Sequence, residues 1–163
     1  RLLEQLPDKA GTPPIALHPY ATHPDKAWKE AYWRQLMELF ESRGIPWIVI
    51  GRGSGMEGIP ASRNFTNRTS LRETCALLKS SSLLITGDSG PMHLAGAVGT
   101  PVLALFGPTT EEWGFFPAGP KDRVLESQLD CRPCTLHGKK HCDRNHACMQ
   151  SITPEQVMRA LDE

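Results

Sequence analysis

Two apolar segments of strand length, 83–86 and 102–106, are separated by a stretch just long enough for a turn and one helix. A strand, a helix and a second strand in this order are typical of the crossover between parallel strands. Both segments are apolar throughout rather than alternating, which is typical of strands buried on both faces. The sequence therefore predicts a parallel sheet with helices packed against it.

The same alternation of apolar strands and amphipathic helices continues along most of the 163 residues. Further strands are predicted at 15–18, 46–51 and 123–125, with a weaker one near 63–65. Helices are predicted from Asp25, as the N-cap, to about Arg43, over 70–80, and over 153–162. This pattern predicts an α/β fold, a Rossmann-like parallel sheet with helices on both faces, in a single domain that spans 1–163.

The turn after the 83–86 strand carries groups that suit an anion. It reads Asp88-Ser89-Gly90-Pro91-Met92-His93, so a carboxylate, a hydroxyl and a glycine stand at the start of the predicted helix. The first N–H groups of a helix lack internal partners and carry partial positive charge, and they bind phosphate well. A capped surface helix without a ligand explains these residues equally well. The spacing is neither the dinucleotide fingerprint nor a Walker loop.

Four polar loops follow predicted strands, at 18–26, 51–58, 87–93 and 107–113. The carboxyl ends of parallel strands meet at one edge of the sheet, and ligands of such sheets bind there. Lys26 is expected in the first turn of a helix, where a cation opposes the helix dipole. That unfavourable position favours a functional lysine over a solvated one. We therefore expect the four loops to form the site.

The charges of the chain balance, with 18 Lys and Arg against 18 Asp and Glu. The chain therefore lacks the basic excess of proteins that bind nucleic acid or anionic membranes. Its apolar runs are of strand length, so we expect at most peripheral membrane association. The first residue is Arg1 rather than methionine, from which we expect the chain to be part of a longer protein.

Four of the five cysteines lie within 131–148, spaced Cys131-x2-Cys134-x7-Cys142-x5-Cys148. Four thiolates in so short a segment suit a tetrahedral structural zinc site. Free thiols or one or two local disulfides are the alternatives, and a single Cys-x-x-Cys leaves them open. Five cysteines without a secretory signal favour a reducing compartment such as the cytoplasm.

The order of the motifs resembles glycosyltransferase family 9, the ADP-heptose:lipopolysaccharide heptosyltransferases and their relatives. The resemblance covers nearly the whole chain and is carried first by Asp-Ser-Gly-Pro-Met-His-Leu-Ala at 88–95, Gly-Thr-Pro-Val at 99–102 and Leu-Phe-Gly-Pro-Thr at 105–109. Further matches are His-Pro at 18–19, Lys-x-Trp at 26–28, Ser-Leu-Arg-Glu at 70–73, Cys-x-x-Cys at 131–134 and Ile-Thr-Pro-Glu at 152–155.

The resemblance implies a two-domain enzyme of the GT-B type, of which this chain is the carboxyl-terminal domain that binds the sugar nucleotide. An amino-terminal domain outside this chain would hold the acceptor and the catalytic base, an aspartate. The implied reaction transfers heptose from ADP-heptose, with inversion and without a required cofactor, to a lipopolysaccharide-core acceptor. It would take place in the bacterial cytoplasm at the inner face of the inner membrane, and this chain alone is expected to be inactive.

The resemblance also implies roles for the residues of the main motif. Ser89 and the N–H of Gly90 would bind the diphosphate, with His93 in the same motif and Asp88 close to the sugar. Thr22 and Lys26 match the polar pair of the first loop. Lys26 would offset the charge that develops on the departing diphosphate. Catalytic roles are therefore expected for Lys26 and Asp88.

Two further positions are candidates for the same cleft. Glu57 matches the loop acid that holds the nucleoside only loosely, because 51–57 departs from the family's usual run, and a plain surface glutamate is the alternative. Thr109 ends the motif at 105–109 and is a candidate for lining the cleft. A family member that uses another sugar nucleotide or acceptor, and a non-catalytic nucleotide-binding domain, remain as alternative functions.

Overall fold

Five parallel strands form one sheet in the computed structural model, which describes residues 2–7, 11–113, 116–134 and 141–163. The strands are β1 (Ile15–His18), β2 (Trp47–Val49), β3 (Leu83–Gly87), β4 (Val102–Phe106) and β5 (Arg123–Glu126). The helices are α1 (Glu30–Ser42), α2 (Leu71–Lys79), α3 (Gly90–Val98), α4 (Ala147–Gln150) and α5 (Pro154–Asp162). The order across the sheet is β2-β1-β3-β4-β5, and every neighbouring pair is parallel.

Alternate strand residues face two separate cores, one on each side of the sheet. Leu17, Ile85 and Leu103 pack with α1, α4 and α5 on one face. Ala104 and its alternating neighbours pack with α2 and α3 on the other. The predicted α/β fold, with a parallel sheet covered on both faces, is confirmed.

The direction of chain progress reverses between β1 and β3. From β1 the chain moves outward to β2, then returns to the far side of β1 to form β3 and continues outward to β5. The loops that leave the carboxyl ends of β1 and β3 therefore diverge and leave a crevice between them. This switch point locates the part of the sheet edge where a ligand fits.

The predicted helix start at Asp25 is wrong. Residues Pro24–Lys26 form a 3₁₀ turn, the chain is then extended at Ala27, and α1 begins only at Glu30. The interruption buries Trp28, whose indole N–H donates to the carbonyl of Ile152 at 2.8 Å. Lys26 therefore precedes α1, and the argument from an opposed helix dipole does not apply to it.

The other boundaries lie close to their predictions. Ser70 caps α2 by accepting the N–H of Glu73, and Thr153 forms a capping box at the start of α5. The weak strand near 63–65 is reduced to a single parallel bridge, in which Asn64 pairs with Val49 at the outer edge of β2.

Candidate functional site

An open cleft of about 470 Å³ lies at the carboxyl edge of the sheet, over the switch point. Its walls come from the loops after β1, β2 and β3 and from the start of α2. Thr22, Ser89 and Gly90, three of the predicted site residues, line it. Three of the four loops expected at the site therefore meet there.

The amino terminus of α3 opens onto this cleft without a side-chain cap. Ser89 is the N-cap residue, with extended backbone, yet its hydroxyl does not accept a hydrogen bond from the helix. Its Oγ lies 2.8 Å from Oγ1 of Thr86 instead. A Cβ added at Gly90 would meet nothing within 4 Å, so the space before the helix is open. Backbone N–H groups in this arrangement bind phosphate or another anion.

A lysine and an aspartate form an ion pair beside the cleft. Nζ of Lys26 donates to Oδ2 of Asp88 at 2.7 Å, and the two side chains are 14% and 13% exposed. The hydroxyl of Thr109, which is buried, donates to the same oxygen at 3.3 Å. The fourth predicted loop thus reaches the site through Thr109. The sequence prediction placed these three residues near one another, although it did not predict the pairing.

The 3₁₀ turn that carries Lys26 contacts a segment more than a hundred residues later in the chain. Oδ1 of Asp25 lies 2.5 Å from Nε2 of His146, just before α4. His146 has a left-handed backbone, with φ of +55°. The end of the cysteine-rich segment therefore contacts the residue next to the predicted catalytic lysine.

A histidine that is largely buried, His18, contributes to the cleft lining at the end of β1. Nδ1 of His18 lies 3.1 Å from Oγ1 of Thr86, its register partner on β3. Burial lowers the pKa of His18 from 6.5 to about 4, because a charged imidazole loses its hydration there. His18 is therefore neutral at physiological pH.

Two glycines allow the second loop to approach this histidine. Gly51 has φ of +112°, and a Cβ there would lie 2.4 Å from Cδ2 of His18. A Cβ at Gly53 would lie 2.3 Å from the ring of Tyr20. Burial raises the pKa of that tyrosine, its bond to Thr66 opposes the shift, and the charge of Glu57 adds to it.

Two predicted site residues belong neither to the cleft lining nor to the Lys26–Asp88–Thr109 cluster beside it. Glu57 is exposed and accepts the N–H of Gly55 at 3.2 Å within its own loop. His93 lies in the first turn of α3 and is also exposed. Their proposed contacts with a nucleotide stay predictions.

The structure adds cleft residues that the motif analysis missed. They are contributed by the first two loops and by the approach to α2: Tyr20, Arg52, Thr69, Leu71 and Thr74. Leu71 is unusual because it is 67% exposed at the first position of its helix. One signal was available, since a helix between parallel strands begins at the carboxyl edge of the sheet, and the capping box at 70–73 marked that beginning.

The cysteine-rich segment is described only at 131–134 and 141–148. Within the described residues, no group of three or more His, Cys, Asp or Glu side chains is placed to hold a metal ion. The zinc site at Cys131, Cys134, Cys142 and Cys148 is therefore not supported, and 135–140 lie outside the described residues. Cys75, Cys131, Cys142 and Cys148 are not in disulfides. Burial raises the pKa of the Cys148 thiol.

An arginine ties this segment to the cleft loops. The guanidinium of Arg132 donates to the carbonyl of Thr109 at 2.9 Å and to Glu126 at 2.8 Å. It also donates to the carbonyls of Gly107 and Ser127. Its side chain is 5% exposed, so these acceptors replace water almost completely.

Among the described helices, none combines the length and the apolar character needed to cross a bilayer.

Comparison with known sequences finds one family along most of this chain. The model of glycosyltransferase family 9 (heptosyltransferase) matches residues 2–143. Lipopolysaccharide heptosyltransferase 1 of Pseudomonas aeruginosa is 35% identical over 153 residues, which cover 85% of this chain and 40% of the relative. Lipooligosaccharide heptosyltransferase 2 of Campylobacter jejuni is 26% identical in an alignment 171 positions long, which covers 94% of this chain and 52% of the relative. The chain thus spans about half the length of these curated relatives, or less.

Solved structures share the fold. ADP-heptose lipopolysaccharide heptosyltransferase II of E. coli superposes with a TM-score of 0.72 at 23% identity, over 99% of this chain and 49% of the other. The iron-containing dodecameric glycosyltransferase TibC of enterotoxigenic E. coli gives a TM-score of 0.75 at 23% identity, over 96% and 46%. At these identities the likeness establishes the α/β architecture.

Proposed function

Because the chain belongs to glycosyltransferase family 9, we propose that it is the nucleotide-sugar-binding domain of a two-domain GT-B enzyme. The enzyme transfers heptose from ADP-heptose to a lipopolysaccharide-core acceptor. Curated relatives named as lipopolysaccharide heptosyltransferases support heptose and lipopolysaccharide, and a solved structure named as an ADP-heptose lipopolysaccharide heptosyltransferase supports the ADP-linked donor. In this proposal an amino-terminal domain outside the chain supplies the acceptor site and the base.

One observation carries the proposal more than any other. The uncapped amino terminus of α3 and the Lys26–Asp88 pair lie at the same switch point of the sheet. A helix terminus suits the phosphates, and a lysine beside a carboxylate suits the junction between a diphosphate and a sugar. An ordinary surface helix without a ligand would be capped by its N-cap side chain and would not require an ion pair beside it.

The chemistry follows from these charges. Breaking the bond between the sugar and the diphosphate leaves negative charge on the departing phosphate oxygen. The ammonium of Lys26 and the N–H groups around Gly90 are fixed donors that stabilise this charge without reorganising. Asp88, held by Lys26 and Thr109, is proposed to contact the sugar, so these residues align the donor for attack from the opposite face.

ADP titration of this chain tests the nucleotide part of the proposal. We expect ADP to bind more tightly than adenosine or UDP, measured by calorimetry. Lys26→Met should weaken ADP binding by about tenfold or more, because it removes a charged donor and leaves the Asp88 carboxylate facing the phosphates. Adenosine binding should be unchanged.

A matched lysine provides the control. Lys29 is exposed, and its Nζ lies 5.4 Å from the centre of the Tyr32 ring rather than at the cleft. Lys29→Met should leave ADP affinity unchanged. Equal losses in the two variants, or ADP bound no better than adenosine, would contradict the assignment of the phosphate site.

Asp88→Asn separates binding from transfer. The substitution removes a negative charge next to the phosphates, so the affinity for ADP should hold or rise. Heptose transfer by the full-length enzyme should fall, because the contact with the sugar is weakened. A parallel loss of ADP binding would show that Asp88 acts on the nucleotide and not on the sugar.

The wider setting is part of the same proposal. We place the reaction in the bacterial cytoplasm, at the inner face of the inner membrane. Cysteines that are not in disulfides support a reducing compartment. This chain alone should turn over no ADP-heptose, whereas the full-length protein should do so with a lipopolysaccharide-core acceptor, and measurable transfer by this chain alone would contradict the division of labour.

A further inference from the structure

Three side chains form a continuous hydrogen-bonded line from the core to the cleft. Nδ1 of His18 lies 3.1 Å from Oγ1 of Thr86, which lies 2.8 Å from Oγ of Ser89. His18 is 7% exposed and Thr86 is fully buried, so water does not compete for the inner bond. Ser89 ends the line at the amino terminus of α3, where it lines the cleft.

The direction of the protons along this line follows from the histidine. A neutral imidazole carries one N–H, on either Nδ1 or Nε2. Within the described residues, Nδ1 has a hydrogen-bond partner in Thr86, whereas Nε2 has none and would lie 2.8 Å from a Cβ added at Gly51. A buried N–H without an acceptor is rarer and costlier than an unused lone pair. The proton therefore belongs on Nδ1.

A proton on Nδ1 fixes the two hydroxyls in turn. Thr86 accepts from His18, so its only proton is free to donate to Oγ of Ser89. Ser89 accepts that bond, and its own proton then points away from Thr86. With its side chain not engaged as a helix cap, the remaining direction for this proton is the cleft.

We propose that His18 is a positioning residue that acts through Thr86 to aim the hydroxyl proton of Ser89 at a phosphate oxygen in the cleft. This inference rests on the proposed function, since it takes the ligand to be a nucleoside diphosphate. His18 touches no ligand atom in this role. Its effect is to present a donor rather than an acceptor to an anion, because an acceptor at that point would repel the phosphate.

A test without a ligand reads the histidine directly. The ¹⁵N chemical shifts of the His18 ring distinguish a protonated from an unprotonated nitrogen. At neutral pH we expect the proton on Nδ1, and a proton on Nε2 overturns the proposal. This result does not depend on whether ADP binds, so failure of the proton order and failure of the proposed function are distinguishable.

A double-mutant cycle reads the effect on binding. Ser89→Ala should weaken ADP about tenfold and leave adenosine unchanged, since a hydrogen bond to a charged group is lost. His18→Leu should produce a similar loss, and adding it to Ser89→Ala should produce no further loss. Independent, multiplying losses overturn the proposal, because they would mean that His18 does not act through Ser89.

Conservative variants separate positioning from a simple loss of structure. His18→Asn should retain ADP affinity, because the amide nitrogen of Asn is as many bonds from Cα as Nδ1 and donates to Thr86 in the same way. Thr86→Val should lose affinity like His18→Leu. Thr100→Val is the matched control, since Thr100 is equally a buried threonine, but its hydroxyl donates to the carbonyl of Leu78. Loss of ADP affinity in His18→Asn, or in the Thr100 control, contradicts the proposal.

Discussion

Acid should destabilise this domain through one buried histidine. The folded-state pKa of His18 is about 4, below the ordinary value of 6.5 that applies to the unfolded chain. Between these two values the unfolded state binds a proton at this position and the folded state does not. Stability therefore rises with pH across this window. The contribution is complete above about pH 6.5, is lost as the pH falls toward about 4, and stays constant at lower pH.

The size of the loss follows from the gap between the two pKa values. Each unit of difference is worth about 1.4 kcal/mol, so a folded pKa of about 4 against 6.5 makes the full loss about 3.5 kcal/mol, of which about 3 kcal/mol is reached at pH 4. A domain of this size is stable by roughly 5–15 kcal/mol in total. The loss from one imidazole is thus a large fraction of the total free energy of unfolding.

Denaturant unfolding at a series of pH values between about 7 and about 4 measures this effect, with the pH-dependent difference between the wild-type chain and His18→Asn as the readout. Carboxylates titrate in both proteins, so their contributions cancel in the difference. The advantage of the wild type over the variant should shrink by about 3 kcal/mol across the window. A difference that does not change with pH would refute the reasoning, because His18 would then titrate alike in the folded and unfolded states.

Three further predictions concern stability and are measured by thermal or denaturant unfolding. Gly51→Ala should lower the free energy of unfolding by about 2–4 kcal/mol, because Gly51 has a left-handed φ and the new methyl would contact His18. Gly58→Ala is the control: Gly58 has φ of +83° but nothing within 4 Å, so the loss should be only about 1 kcal/mol. Equal costs would mean that the packing against His18 is loose. Gly96→Ala should stabilise the domain by about 0.5–1 kcal/mol, because Gly96 lies inside α3 with open space around it, and a loss would show that the helix packs there. Arg132→Met should cost about 2–4 kcal/mol by leaving buried carbonyls without a donor, and a cost below about 1 kcal/mol would show that water replaces the guanidinium.

The strands were predictable because their signal is local. The run at 102–106 is apolar throughout, those at 15–18 and 83–86 are apolar up to a final polar residue, and each became a strand buried on both faces. The capping residues Ser70 and Thr153 likewise act on N–H groups three residues away. Short-range signals of this kind depend little on the rest of the fold.

The start of the first long helix was not predictable for the opposite reason. Asp25 is a good N-cap by type, but its carboxylate pairs with His146. Trp28 lies before the helix, where its indole N–H donates to the carbonyl of Ile152. Both partners lie more than a hundred residues away in the chain. A tertiary contact of that range outweighs a local preference worth about 1 kcal/mol.

The candidate site was predictable in location and less so in its contacts. Parallel strands place their loops at one edge, which correctly brought together Thr22, Ser89 and Gly90. The bond from Lys26 to Asp88 crosses 62 positions of the sequence, and no pattern specifies it. Tyr20 and Arg52 were missed because a single aromatic or basic residue in a loop has no characteristic spacing.

The positive charge of Lys26, beside the cleft, is balanced by the carboxylate of Asp88 before any ligand binds. The lysine ammonium is paired with Asp88, so this pair adds little net positive field toward an approaching nucleotide and should contribute little to electrostatic steering. In the proposed reaction, spent ADP competes with the carboxylate for the same cation. A sugar-loaded nucleotide brings hydroxyls that can satisfy Asp88 while the phosphates share Lys26. The ion pair would then act as a selector that holds the loaded donor and lets the product leave.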